Sequence, residues 1–217
     1  MIDEPVADVL DRVRHLSAEE ILSDAASRYS GRVAFASSLN VEDQVLTHMI
    51  AAAGLEIPVF TIDTGRLFPE AYDLLDQTCE RYGLSIAVYC PDTADVETMV
   101  ARNGVNLFRG SRFLHEQCCE TRKTRPLRRA QVGLDAWVCG SRTRNDGGPV
   151  QPAEWDAAAG LLELHPLAGC DDARVWDYVR AHDVPYNPLH DKGFPTIDCA
   201  PCTAAATAET TEADRTR

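Results

Sequence analysis

Two cysteines stand side by side in HEQCCETRKTRPLRR, residues 115–129, and two more frame the tetrad CAPC at 199–202. Adjacent thiols are awkward in regular structure. Neighbouring residues point about 100° apart in a helix and to opposite faces in a strand. The C-x-x-C beside a proline is a common ligand hairpin, because its two sulfurs can converge on one ion or cluster. Four thiolates fit a four-cysteine zinc site or an iron–sulfur cluster. Adjacent cysteines strain one small ion and are easier to place on two corners of a cubane, whose iron atoms are separate. The rival readings are unrelated buried thiols and a vicinal disulfide, and two tight pairs in one reducing compartment weigh against them.

Charge adds to this picture. Between Cys118 and Arg129 lie Arg122, Lys123, Arg125, Arg128 and Arg129, with Glu120 the only acid. A thiolate-ligated cluster is anionic, and ammonium or guanidinium groups beside it offset that charge and attract an anionic substrate. Arg122 and Lys123 are nearest the thiols. Arg128 and Arg129 read as a solvated helix face.

The whole chain sets the limits. Its 217 residues suit one large domain, and a net charge of -13 excludes an extended nucleic-acid interface. No run approaches the roughly 18 apolar residues that span a bilayer, and the charged N-terminus lacks a signal-peptide core. A cytoplasmic protein with eight cysteines argues for metal or redox chemistry over disulfides. We expect a single domain over residues 1–203 and a disordered Ala/Thr/Glu-rich tail over 204–217.

The elements that must position the cysteines alternate. Helices are expected at 17–29 (capping box Ser17/Glu20), 40–54, 69–83, 92–104 and 172–183; buried strands at 31–37, 57–63, 84–90, 136–140 and 161–167. Strand–helix alternation with short connections predicts an α/β fold, a mostly parallel sheet with helices on both faces. Ligands in such folds bind beyond the C-terminal strand ends. Here those ends carry Ser37-Ser38-Leu39-Asn40, Asp63-Thr64-Gly65-Arg66, Cys90-Pro91-Asp92 and Gly140-Ser141-Arg142.

From about Phe35 to Thr203 the sequence resembles the iron–sulfur-containing adenylyl-sulfate (APS) reductases of bacterial sulfate assimilation. CCETRKTRPLRRA with CAPCT carries the paired-cysteine pattern. AFASSLNVEDQVL resembles the family's modified PP-loop, FTIDTGRLFPEAY its second nucleotide segment, and VRAHDVPYNPLHDKGFPTIDCAPCT its late segment. The resemblance implies an adenine nucleotide alpha-hydrolase-like (Rossmann-like) fold, a 4Fe-4S cluster, thioredoxin or a similar thiol donor, and reduction of APS to sulfite and AMP. By position, Cys118, Cys119, Cys199 and Cys202 are the cluster ligands. Ser37, Ser38, Asp63, Thr64, Gly65 and Arg66 hold the nucleotide, and Lys123 lies between cluster and sulfate group. The PP-loop lacks the paired glycines of ATP pyrophosphatases, so ATP cleavage is not the expected activity.

Two departures stand against this likeness. The family's nucleophile is a cysteine in a C-terminal Glu-Cys-Gly-Leu/Ile-His motif, and no cysteine or histidine follows Cys202 here. No catalytic nucleophile is therefore identified; Lys123 and Arg142 are the electrostatic candidates. The family's Thr-Gly-Leu-Arg-Arg-Glu-Gln segment is replaced by Cys139-Gly140-Ser141-Arg142-Thr143-Arg144-Asn145-Asp146, which keeps an arginine at Arg142. Cys139 is expected to be a small buried strand residue, like Cys79 and Cys90, and His165 is expected to be structural. The alternative is a diverged 4Fe-4S sulfur-transfer or nucleotide-binding paralogue that works with a partner or in a specialised pathway.

Overall fold

The structure, a computed structural model, describes residues 4–142 and 148–205. The expectations for Thr143 to Asp146, and for the tail beyond residue 205, lie outside the described residues.

The five expected strands and one more form one sheet in the order β3-β2-β1-β4-β6-β5. These are β1 Val33–Ala36, β2 Val59–Ile62, β3 Ala87–Tyr89, β4 Ala136–Cys139, β5 Ala153–Asp156 and β6 Leu161–Leu164. All pairings are parallel except β5 with β6. Successive residues of β1, β2 and β4 are buried. Because they point to opposite faces, both faces of the central sheet are covered. β5 was not expected: its AEWD sequence is half polar and lies on the sheet edge, where one face stays wet.

Helices α1 Val6–Val13, α2 Ala18–Arg28, α3 Val41–Ala52, α4 Pro69–Tyr82 and α5 Thr93–Asn103 accompany the strands. α2 starts with the expected capping box, Ser17 Oγ accepting from the Glu20 N–H and Glu20 reaching back to the Ser17 N–H, worth about 1 kcal/mol. α4 begins at Pro69 and ends against Gly83 in the left-handed region, φ +62°, where a side chain would be strained. The main core joins Leu22, Phe35, Leu46, Ile50, Val138 and Leu162. Each contributes about 1.5–3 kcal/mol by leaving water.

The cysteine-bearing stretch forms α6 Arg112–Cys119, a π turn Glu120–Thr124, and α7 Arg125–Ala130. Pro126 gives the reason for the wide turn. It has no N–H to donate, and its ring crowds the carbonyl four residues back. π turns are rare and recur at functional sites. The last helix, α8 Asp172–His182, packs against α3.

Candidate functional site

The chain leaves β1 toward one side of the sheet and returns on the other at β4, so the crevice of the topological switch point lies between the loops after β1 and β4. In the first loop Leu39 has φ +63°, uncommon for a residue with a side chain. Its side chain is buried with Ala71 and Leu74, and its N–H donates to Ser37 Oγ at 3.2 Å. Ser38 donates its N–H to Asp43 Oδ2 at 2.7 Å and its hydroxyl to the same oxygen. Burial pushes Asp43 up to about 6, against the Ser38 hydrogen bonds that favour the charged form. Gly140 lies against that carboxylate, with no room for a Cβ.

Asn40 makes no side-chain cap for α3. Its Nδ2 donates to Ser38 Oγ at 3.0 Å and to Ile197 O at 3.1 Å, and its Oδ1 accepts from the Ile197 N–H at 2.8 Å. The side chain thus ties the β1 loop to the late segment. The first turn of α3 is left without a side-chain cap, and its backbone N–H groups suit an anion.

The loop after β2 links crevice to cysteines. Asp63 Oδ1 accepts from the Gly65 N–H at 2.7 Å and from Tyr72 OH at 2.9 Å. Thr64 is buried; its Oγ1 lies 3.1 Å from Cys199 Sγ, and its carbonyl accepts from Arg122 Nη1 at 2.7 Å. The Arg66 guanidinium donates to Val105 O and lies 5.3 Å from the Phe108 ring centre, while its carbonyl accepts from the Ala200 N–H at 2.8 Å.

All four paired cysteines gather here. Cys118 is buried against Met99 and Leu107. Cys199 to Thr203 forms a tight knuckle: the Cys202 and Thr203 N–H groups donate to Cys199 O at 2.8 and 3.1 Å, and Thr203 Oγ1 accepts from the Asp198 N–H at 2.9 Å. Cys202 Sγ lies 3.7 Å from His115 Nε2. Burial pushes the Cys119, Cys199 and Cys202 thiols up, Cys202 to about 11. The charges of the other thiols add to the rise: Cys199, Cys119 and Cys118 for Cys202, and Cys118 for Cys199. Three thiols whose charged forms are disfavoured call for positive charge between them. No three of these sulfurs lie within 4.8 Å of one another, whereas thiolates 2.3 Å from a shared zinc stand about 3.8 Å apart. That spread is wider than the ligand shell of a single zinc ion.

The basic stretch is less open than its sequence suggests. Arg125 pairs with Asp95 at 2.7 Å, Arg128 with Glu120 at 3.0 Å, and Arg129 donates to Cys90 O. Lys123 Nζ donates to Asp198 at 2.7 and 2.9 Å; burial acts to lower its pKa, but the Asp198 charge and hydrogen bond outweigh it. Arg122 is different. It is buried, and its Nε has no hydrogen-bond partner among the described residues. A buried guanidinium reaching the thiols through Thr64 fits an anionic group at this place.

Arg142 donates to Glu42 Oε1 at 2.6 Å, to Asp172, and to Cys170 O at 3.0 Å. It clasps the β4 loop to the starts of α3 and α8. Cys139 is pushed up to about 12 by burial and then by the charge of Asp43, so it keeps its proton at neutral pH and is not an activated nucleophile. Cys90, expected to pack, is exposed. Sequence reasoning missed Asp43, His115 and Asp198, and named Asn40 only as part of a strand-end segment. An acid at the third position of α3, directly after Val41 and Glu42, is the one visible sign of Asp43.

Residues 32–205 match the family model described as phosphoadenosine phosphosulfate reductase domain. The chain is 43% identical over 196 residues to the adenosine 5'-phosphosulfate reductase of Allochromatium vinosum, covering 89% of this chain and 76% of that protein. It is 41% identical over 196 residues to that of Burkholderia cepacia, covering 89% and 77%. The crystal structure of phosphoadenylyl-sulfate (PAPS) reductase from Candida auris, a phosphate complex, superposes with a TM-score of 0.80 at 23% identity, covering 94% of this chain and 98% of that one. That last likeness concerns the fold.

Proposed function

The chain belongs to the phosphoadenosine phosphosulfate reductase domain family, and from that premise we propose that it reduces adenosine 5'-phosphosulfate to sulfite and AMP. Sulfur gains two electrons from a dithiol, which leaves as a disulfide. The bridging oxygen leaves with AMP. Thioredoxin or a similar small dithiol protein is the electron donor. The observation that carries this reading is the convergence of Cys118, Cys119, Cys199 and Cys202 beside Arg122 and Lys123, at a strand-end crevice.

Those four cysteines would hold a 4Fe-4S cluster. When bound, it would supply an iron–thiolate centre tying the C-terminal end of α6 to the 199–202 knuckle. The chain's own residues do the rest. Ser37 and Ser38 shape the loop for the nucleotide, with Asp43 holding Ser38 and Asn40 closing the late segment over it. Asp63 and Tyr72 fix the second nucleotide loop. Lys123 exchanges its Asp198 partner for the sulfate group, and Arg122 adds fixed positive charge behind it. No helix of the described residues is long and apolar enough to cross a membrane. All eight cysteines are unpaired, as a cytoplasmic protein's are.

The test is an anaerobic assay with sulfur-labelled adenosine 5'-phosphosulfate, with and without thioredoxin, after iron and acid-labile sulfide have been quantified. Labelled sulfite and AMP in equal amounts, dependent on thioredoxin, are expected. Protein with a full iron complement that yields neither would overturn the reading.

A further inference from the structure

A second group of metal-binding side chains lies apart from the four paired cysteines. Cys139 is the last residue of β4, Glu163 lies in β6, and His165 follows it. The parallel ladder pairs Trp137 with Glu163 and Val138 with Leu164. Two-residue periodicity then puts Cys139, Glu163 and His165 on one face at the C-terminal edge of the sheet. Their Sγ, carboxylate and imidazole atoms all lie within 4.8 Å of one another, and His165 Nε2 is 3.7 Å from Glu163 Oε1.

We propose that Cys139, Glu163 and His165 form a binding site for one divalent transition-metal ion of the zinc type. Bond lengths of 2.0–2.3 Å to sulfur, nitrogen and oxygen place tetrahedral ligand atoms about 3.3–3.8 Å apart. The spacing, at most 4.8 Å, therefore needs a contraction of about 1.5 Å or less. The donor set is one soft sulfur, which gives up its proton to solvent when the metal binds, one imidazole and one carboxylate. That combination suits zinc, cobalt or nickel and disfavours magnesium and calcium, which take oxygen. Three protein ligands leave a fourth position open to water or another ligand.

The setting is rigid. His165 is 3% exposed, its N–H donates to Pro152 O at 2.9 Å, and proline follows it. Sites built on strands hold their ligands more tightly than sites on loops. The next residue after Cys139 is Gly140, which touches Asp43 at the switch-point crevice. The ion would sit one residue behind that rim.

Cobalt(II) titration of the full chain under anaerobic conditions tests this, with thiolate-to-cobalt absorption and bound metal both measured. The wild type should bind one more equivalent of cobalt than Glu163→Gln or His165→Gln, or bind it about 100-fold or more tightly, since even outer-shell changes cost 10–100-fold. Circular dichroism checks that each variant is folded, and the isosteric Glu163→Gln keeps the test open should His165→Gln fail to fold. The extra equivalent should persist in a Cys118→Ala/Cys119→Ala variant. Equal cobalt content and equal affinity in wild type and folded Glu163→Gln would overturn the proposal. So would loss of the extra equivalent on removing the paired cysteines.

Discussion

The Asp43 carboxylate lies where a side chain on Gly140 would begin. Two loops from the two strands that bound the crevice are thus fitted together at a single contact, and the same carboxylate accepts both hydrogen bonds of Ser38.

Gly140→Ala should therefore act on the nucleotide loop from across the crevice. The added methyl meets Asp43, and relief requires moving it off Ser38. Overpacking of this kind costs about 1–3 kcal/mol. A lower thermal midpoint together with weaker adenosine 5'-phosphosulfate binding is expected, measured by calorimetry. Unchanged binding in a folded variant would show that the contact does not position Ser38.

Asp43 also sets a pH dependence of stability. Its pKa in the folded chain, about 6, lies above its ordinary 3.8 because burial disfavours the charge. Between those values the folded chain keeps a proton that the unfolded chain has released. Stability therefore falls as pH rises from about 4 to about 6 and is level above that, a cost of about 3 kcal/mol for two pKa units. Asp43→Asn should flatten this slope in urea denaturation at pH 4, 5, 6 and 7. An unaltered slope would assign it to other groups.

Lys123 separates stability from turnover. Its pair with Asp198 is about half exposed, and such pairs contribute about 0–1 kcal/mol. Lys123→Ala should leave the thermal midpoint nearly unchanged. Loss of a charge aimed at the reacting sulfate should lower kcat/KM about 100-fold. A drop in both quantities together would make Lys123 a structural residue.

Thr64 links nucleotide loop and cysteine knuckle through its hydroxyl beside Cys199. Thr64→Val keeps the shape and removes the hydrogen bond, with a stability loss of about 1 kcal/mol. Its sharper effect should be on iron: less iron per chain after anaerobic reconstitution, and faster loss to a chelator. Wild-type iron retention would count against the link.

Much of this was legible in the sequence. Five strands, helices α2 to α5 and α8 and the two cysteine pairs follow from short apolar runs, capping residues and spacing, whereas α1, α6 and α7 were not among the expected helices. β5 was hidden because AEWD on a wet edge has no apolar run to read. The role of Asp43 was hidden because a helix that is buried nearly all round absorbs an acid without breaking its pattern. The basic stretch misled for another reason. Asp95, Glu120 and Asp198 neutralise three of its members, two of them from elsewhere in the chain, and no local reading of charge could find them. The trio Cys139, Glu163 and His165 required the β4–β6 register, which pairs strands separated by the whole β5 hairpin.

The π turn at Glu120–Thr124 makes residue count as important as residue type. It divides one continuous rod into two segments of different phase, with the vicinal cysteines on the first and Arg125, Arg128 and Arg129 on the second. Each residue inserted or removed between Cys119 and Pro126 would rotate one segment against the other by about 100°. Every cysteine and every cation could survive such a change, yet Arg122 would no longer reach Thr64. Length variation in this stretch is thus as informative about a related sequence as any substitution within it.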